Sequence, residues 1–189
     1  MPRRQNPDPL AQRIGQRIRQ LRQRAGLSLE KLAYESELGS KGHLSDLERG
    51  LTRPTINTLK AVADRLGVPL LDLVTFPEDS ERERLVEALR ELPDEEVERL
   101  ARRYAGDLPV LFVGEPPKER GDALLRSIGR RLREARASMG RSADEVAAAV
   151  GMEVDRYLAL EAGEEDVSIR LLAALADCLG TSVWELVRP

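Results

Sequence analysis

Between residues 40 and 49 polar side chains surround two leucines. Leu44 and Leu47 lie three residues apart and so on one face of a helix, while the other positions are small or polar. A short helix of this kind buries its leucines and exposes groups that fit the base edges in a major groove. The small or polar positions of this helix are Ser40, Lys41, Gly42, His43, Ser45, Asp46 and Arg49.

These side chains offer different chemistry. Lys41 can donate to O6 and N7 of guanine. Asp46 either accepts from cytosine N4 or acts as a rejecting or pairing group. His43 and Ser45 either contact phosphate or base edges or are merely exposed to solvent. Gly42 costs about 1 kcal/mol of helix stability relative to alanine; it either permits close backbone approach or is a neutral exposed residue.

Little in the chain could support catalysis. One histidine and one cysteine, Cys178, cannot form a metal cluster or an intrachain disulfide. No glycine-rich phosphate loop is present. The carboxylates recur at helix-surface spacing, as on solvated faces. We therefore predict that the protein is not an enzyme and has no catalytic residues, metal or cofactor.

Neighbouring helices must position the polar face. Ser28 is a candidate N-cap for a short helix over 28–35, whose terminal N–H groups can bind a DNA phosphate. A turn around 37–39 follows, and Ser40 then caps the second helix, which ends at Gly50.

Three more helices complete a five-helix domain. An apolar stripe at three- and four-residue spacing predicts a helix over 10–25. Thr55 caps a further helix that Gly67 ends, and Pro69 opens the last one.

These segments resemble the Cro/C1-type, or XRE, family of helix-turn-helix regulators of phages and bacteria. The resemblance runs from about residue 14 to residue 74. It is carried by separated stretches in matching order and spacing, namely IGQRIRQLRQRAGLSLEKLA, LSDLERG and RPTINTLKAVADRLGVPLLDLV. It implies an all-α, lambda repressor-like fold and binding to double-stranded DNA.

The resemblance also implies roles for single residues. Arg22 is expected to pair with Glu48 and tie the first helix to the end of the recognition helix. Ser40, Lys41, Gly42 and Asp46 match the positions where relatives contact bases. The expected phosphate contacts are Arg17, Ser28, Arg49 and Arg53, and Lys31 completes the set of DNA-binding residues. Two departures are visible: Leu29 stands where many relatives have a base-contacting glutamine, and the turn before Ser40 is one residue longer than usual.

Residues 121–189 repeat the first domain. MGRSADEVA matches AGLSLEKLA, and SIRLLAALADCLGTSVWELV matches TINTLKAVADRLGVPLLDLV. Arg136 and Glu161 hold the places of Arg22 and Glu48, so the same structural pair is expected. Cys178 is interpreted as a packed or rim thiol, and Trp184 as a core or domain-interface residue.

The polar face itself is not repeated. Its counterparts are Glu153, Val154, Asp155, Arg156, Leu158 and Ala159. The acids would repel phosphate, and exposed Val154 and Leu158 suit a protein contact better than a groove. We interpret the second domain as a degenerate copy that has lost most DNA affinity. The alternative is weak binding through Arg130, Arg131 and Arg133.

Charge divides the chain in the same way. The net charge is +5 over 1–75, −5 over 76–120 and −3 over 121–189. The predicted order is a disordered arm (1–9), a DNA-binding helix-turn-helix domain (10–76), a charged helical hairpin (77–105), a linker (106–120) and the degenerate second domain (121–189). The hairpin is either simply solvated or a dimerisation or interdomain element.

We predict a sequence-specific transcriptional regulator, such as a repressor, that inserts the helix Ser40–Arg49 into the major groove of an operator as a homodimer. The alternative is a protein-interaction adaptor or antitoxin-like partner that binds through its second domain. No signal peptide and no apolar run of 18 residues are present. We therefore expect a cytoplasmic protein with no membrane partner.

Overall fold

The computed structural model describes residues 8–36, 38, 40–90, 92–104 and 121–187. Most of the predicted arm, two residues of the predicted turn and the predicted linker lie outside these ranges. The described helices are α1 (Pro9–Arg24), α2 (Leu29–Glu35), α3 (Lys41–Glu48), α4 (Ile56–Leu66), α5 (Leu71–Val74), α6 (Glu81–Arg90), α7 (Asp94–Tyr104), α8 (Gly121–Ser138), α9 (Ala143–Ala149), α10 (Val154–Ala162), α11 (Ile169–Cys178) and α12 (Val183–Val187).

Two compact units divide the chain. One contains residues 1–74 and 119–189, and the other contains residues 75–118. The first unit holds α1–α5 and α8–α12, which confirms the prediction of an all-α fold with two five-helix copies. The second unit holds α6 and α7. Their apolar side chains are largely open to solvent: Leu85 is 61% exposed and Tyr104 is 71% exposed.

Side-chain caps define where the helices of the first copy begin. Ser28 Oγ accepts from the backbone N–H of Lys31 at 3.1 Å, and Ser40 Oγ accepts from that of His43 at 3.1 Å. Thr55 caps α4 in the same way. In α1 the cap is Asp8, so the helix begins at Pro9, inside the predicted arm. Caps of this kind satisfy N–H groups that have no partner within the helix.

A very close approach of α1 to α3 fixes the position of the predicted recognition helix. A Cβ atom added to Gly15 would lie 2.4 Å from the backbone oxygen of Leu47 and 2.6 Å from that of Glu48. Gly50, just past α3, has φ +69°, and a Cβ atom added to it would lie 2.6 Å from the backbone of Gln12. Gly129 makes the same approach to α10 in the second copy. Only glycine fits at these contacts.

The two copies also contact each other, through equivalent elements. Thr55 and Ser168, which occupy the same position in the repeat, form an isolated antiparallel bridge. The N–H of Ile56 donates to the oxygen of Val167 at 2.9 Å, and the N–H of Ile169 donates to that of Pro54 at 3.1 Å. The last helices of the copies, α5 and α12, pack against each other.

The structure excludes one of the two alternatives given for Trp184. Trp184 is 44% exposed and is not a core residue, because α12 turns Leu186 and Val187 inward instead. Cys178 is half-buried, and its Sγ accepts from Nη1 of Arg141 at 3.1 Å, as expected for a packed thiol. Within the described ranges, no helix is both long enough and apolar enough to cross a bilayer.

Gly15→Ala is expected to destabilise the protein by about 1–3 kcal/mol, because the new methyl group would displace the backbone of α3. Gly42→Ala is the matched control, since the nearest atom to its Cβ is Ser40 Oγ at 3.9 Å. That change should raise stability by up to about 1 kcal/mol through helix propensity. Urea unfolding of both variants measures the contrast; equal effects would contradict the close contact between α1 and α3.

Candidate nucleic-acid interface

The exposed face of α3 contains the predicted DNA contacts. Leu44 and Leu47 are 0% and 1% exposed, so the helix is held by its leucines. The exposed positions are Ser40, Lys41, Gly42, His43 and Arg49, and the half-buried ones are Ser45 and Asp46. The first turn of α3 is therefore its most accessible part, and it begins with the lysine.

A bidentate ion pair between Arg22 and Glu48, called the anchor below, holds the other end of α3. Nε and Nη2 of Arg22 donate to the two carboxylate oxygens of Glu48 at 2.6 and 3.0 Å. Nη1 of the same arginine donates to the backbone oxygen of Leu27 at 2.8 Å, just before α2. The fork geometry of the guanidinium orients both groups. One side chain thus connects α1, the approach to α2 and the C-terminal end of α3.

Lys41 has an acidic neighbour. Its Nζ lies 2.6 Å from Oε1 of Glu30 on α2, and both side chains are mostly exposed. The hydrogen bond from Lys41, with its charge, lowers the pKa of Glu30. Solvent screens exposed pairs of this kind, so they contribute little to stability. The lysine can therefore exchange its carboxylate for another acceptor at small cost.

The two arginines that follow α3 also have acidic neighbours. Arg49 lies 3.9 Å from Asp46, and Nε of Arg53 lies 3.8 Å from Oδ2 of Asp8. At these distances the pairs are loose, and the Arg49 side chain is 66% exposed. Asp46 thus has a pairing partner within its own helix region, in line with one of the two alternatives for it.

The predicted residues outside this region differ in accessibility. Ser28 and Lys31 at the start of α2 are exposed. Arg17 is not: it is 3% exposed, and its Nε donates to the backbone oxygen of Asp72 in α5 at 3.0 Å. The expectation of a phosphate contact at Arg17 is therefore corrected, because its guanidinium is used inside the domain.

The second copy keeps the anchor but not the face. Nε of Arg136 donates to Glu161 at 2.7 Å, and Nη1 donates to the backbone oxygen of Arg141, as in the first copy. Glu153 precedes α10 without a side-chain cap, where Ser40 caps α3. Leu158 is 45% exposed on the outer face.

The arginines offered for weak DNA binding by the second copy are partly engaged elsewhere. Arg131 Nη1 donates to the backbone oxygen of Leu186 at 3.1 Å, and Arg133 Nε lies 3.5 Å from Glu161. Arg130 is exposed.

The acidic stretch after α10 is a stronger feature of this region that was not predicted from the sequence. Glu164, Glu165 and Asp166 replace Leu51, Thr52 and Arg53 of the first copy, which aligning the repeats past the helix would have revealed.

Sequence reasoning also missed the acids beside the predicted contacts. Glu30 and Asp8 lie far from Lys41 and Arg53 in the sequence, so only the packing of the helices brings them together. The part of the chain that the structure describes contains no group of three His, Cys, Asp or Glu side chains placed to hold a metal ion.

A family model described as "Helix-turn-helix domain" matches the chain twice, over residues 13–76 and 127–187. The chain is 40% identical over 62 residues to the HTH-type transcriptional regulator DdrOP3 of Deinococcus deserti, covering 33% of this chain and 47% of that protein. It is 36% identical over 64 residues to Control protein C.BamHI of Bacillus amyloliquefaciens, covering 33% and 78%.

A third relative is the HTH-type transcriptional regulator SlrR of Bacillus subtilis, 46% identical over 61 residues, which are 32% of this chain and 40% of SlrR. The chain therefore spans about half the length, or less, of two of these three relatives. No solved structure matches the chain significantly.

The anchor of the second copy predicts a pH dependence. Burial raises the pKa of Glu161, but the interactions with Arg136, Tyr157 and Arg133 together outweigh it, and the pKa lies below its ordinary value. Such a carboxylate stabilises the fold above its unfolded pKa of about 4.3, and this contribution is lost as the pH falls towards the folded pKa.

Glu161→Gln should therefore be less stable than the wild type at neutral pH, with a gap that narrows below about pH 5. Urea unfolding across a pH series measures the gap. Glu134→Gln, at an exposed position of α8, is the control and should run parallel to the wild type. A gap for Glu161→Gln that stays constant with pH would contradict the role assigned to its charge.

Proposed function

The chain belongs to the helix-turn-helix domain family, in its Cro/C1-type form with two copies, and on this premise we propose that it is a sequence-specific transcriptional regulator. The proposal has α3 enter the major groove of an operator. The observation that carries it is the exposed first turn of α3, with Lys41, Gly42 and His43 outward over the buried Leu44 and Leu47. Because proteins of this family bind DNA without catalysis, the prediction that the chain is not an enzyme is confirmed.

Affinity and specificity come from different residues in this proposal. Arg49 and Arg53, with Ser28 and Lys31 on α2, contact phosphates and give the binding its salt dependence. Lys41 leaves Glu30 and donates to guanine in the groove. Arg17 is excluded from the set because it is buried. By occupying the operator, the protein blocks or helps polymerase and so represses or activates the adjacent gene. Because its partner is DNA, the protein is located in the cytoplasm.

A second candidate function rests on α10. Leu158 is 45% exposed, and residues 153–166 carry a net charge of −5, against +1 for the matching residues 40–53. An exposed leucine within an acidic surface suits a protein partner with basic residues around an apolar centre. In this candidate, the chain is an adaptor or antitoxin-like protein and the second copy is its binding surface.

Selection of binding sites from random duplex DNA tests the main proposal. The wild type should enrich one motif, with affinity that falls steeply as salt rises. Lys41→Ala should weaken binding to that motif by about 5- to 150-fold, because a guanine contact is worth about 1–3 kcal/mol. Arg53→Ala should weaken binding to all sequences and reduce the salt slope.

Arg156→Ala is the matched control, since Arg156 stands at the position of His43 in the second copy and pairs with Glu165. It should leave the motif and the affinity unchanged. If the folded wild type enriches no motif, the main proposal fails and the second candidate is favoured.

Glu30→Gln should raise affinity for the selected motif, because it frees Lys41 and removes a negative charge near the phosphates. The control is Asp144→Asn, the matching position of the second copy, which should have no effect. Fluorescence anisotropy with a labelled duplex measures both variants. Weaker binding by Glu30→Gln would mean that the pair orients Lys41 instead of competing for it.

A further inference from the structure

The bridge between the copies has the symmetry of a dimer interface. Thr55 pairs with Ser168, its own counterpart in the repeat. The two hydrogen bonds that flank the pair also join counterparts reciprocally: Ile56 to Val167, and Ile169 to Pro54. In a two-fold interface between subunits, residue i contacts j while j contacts i. The same reciprocity occurs here inside one chain.

This interface is buried and extends beyond the bridge. Ile56 and Ile169 are 0% and 1% exposed, and Val167 is 2% exposed. Asp166 Oδ1 accepts from the N–H of Asn57 at 3.3 Å, in the first turn of α4. Whole helices show the same reciprocity. The last helices of the two copies, α5 and α12, pack on each other, and α1 contacts α11 just as its counterpart α8 contacts α4.

From these contacts we propose that the second copy takes the place of a second subunit. One chain is then the complete DNA-binding unit, and it binds as a monomer. The face that would pair two chains symmetrically is already occupied by α11, α12 and the bridge. This proposal rests on the proposed function for its DNA target and replaces the predicted homodimer.

The charges of the two halves define that target. Around a two-fold axis, equivalent surfaces lie in equivalent places, so α10 and the loop after it stand where a second α3 would stand. That region contains Glu153, Asp155, Glu164, Glu165 and Asp166, which repel phosphates, whereas Arg49 and Arg53 attract them. The operator is therefore a single asymmetric half-site without a palindromic partner.

Cysteine cross-linking tests the arrangement directly. Antiparallel partners outside the hydrogen-bonded pairs have Cα atoms about 4.5 Å apart, within the range that a disulfide requires. Thr55→Cys with Ser168→Cys, in a Cys178→Ser background, should form a disulfide within one chain on mild oxidation. Thr55→Cys without the second cysteine, in the same Cys178→Ser background, is the matched control. Its thiol should remain free and the chain should remain a monomer.

Each outcome on a non-reducing gel decides the proposal. A faster-migrating single chain from the double variant, with no cross-linked dimer from Thr55→Cys alone, supports it. A dimer from Thr55→Cys alone would mean that the first copies of two chains pair with each other. A dimer only from the double variant would mean that the copies are exchanged between chains. Either dimer overturns the proposal.

DNA binding is then measured with the oxidised double variant. The proposal expects undiminished affinity for the selected motif, one chain per duplex by native mass spectrometry, and a motif without two-fold symmetry. Loss of affinity on oxidation with recovery on reduction, or two chains on a palindrome, would overturn it. If the wild type binds no motif, the proposed function fails, while the intrachain disulfide still supports the pairing of the copies.

Discussion

The contact between α1 and α3 is the constraint on which the rest of the domain depends. Gly15 lets the two backbones approach closely, and Arg22 holds the end of α3 through both oxygens of Glu48. A helix of eight residues has little stability of its own. Its direction is therefore set by these contacts and by the two buried leucines, which leave the opposite face open for another molecule.

The same constraint explains which features the two copies share. Gly129 reproduces the close approach of the two helices, and Arg136 and Glu161 reproduce the anchor. The left-handed glycine after the helix recurs as Gly163. The outer face differs at every one of its positions. The residues of this close contact are thus separable from the residues of the outer face, because the second copy keeps the former and has changed the latter.

Much of this was predictable from the sequence because it is local or repeated. Caps such as Ser28, Ser40 and Thr55 act within one helical turn, and the leucine spacing of α3 identifies its buried side. The burial of Arg17 was not predictable, because its acceptor is a backbone oxygen 55 residues away. The pairing of Lys41 with Glu30 depends likewise on how α2 packs on α3. The bridge at Thr55 and Ser168 joins residues far apart in the chain and has no local signal.

The bridge has a genetic consequence. In a symmetric homodimer each codon change alters both halves of the assembly, so an acid introduced beside one recognition helix appears beside the other as well. In a tandem chain the halves mutate separately. The acidic stretch from Glu164 to Asp166, which matches residues 51–53 of the first copy, can therefore arise without removing the basic residues of the first copy. One half is free to acquire a new partner while it still supports the fold of the other.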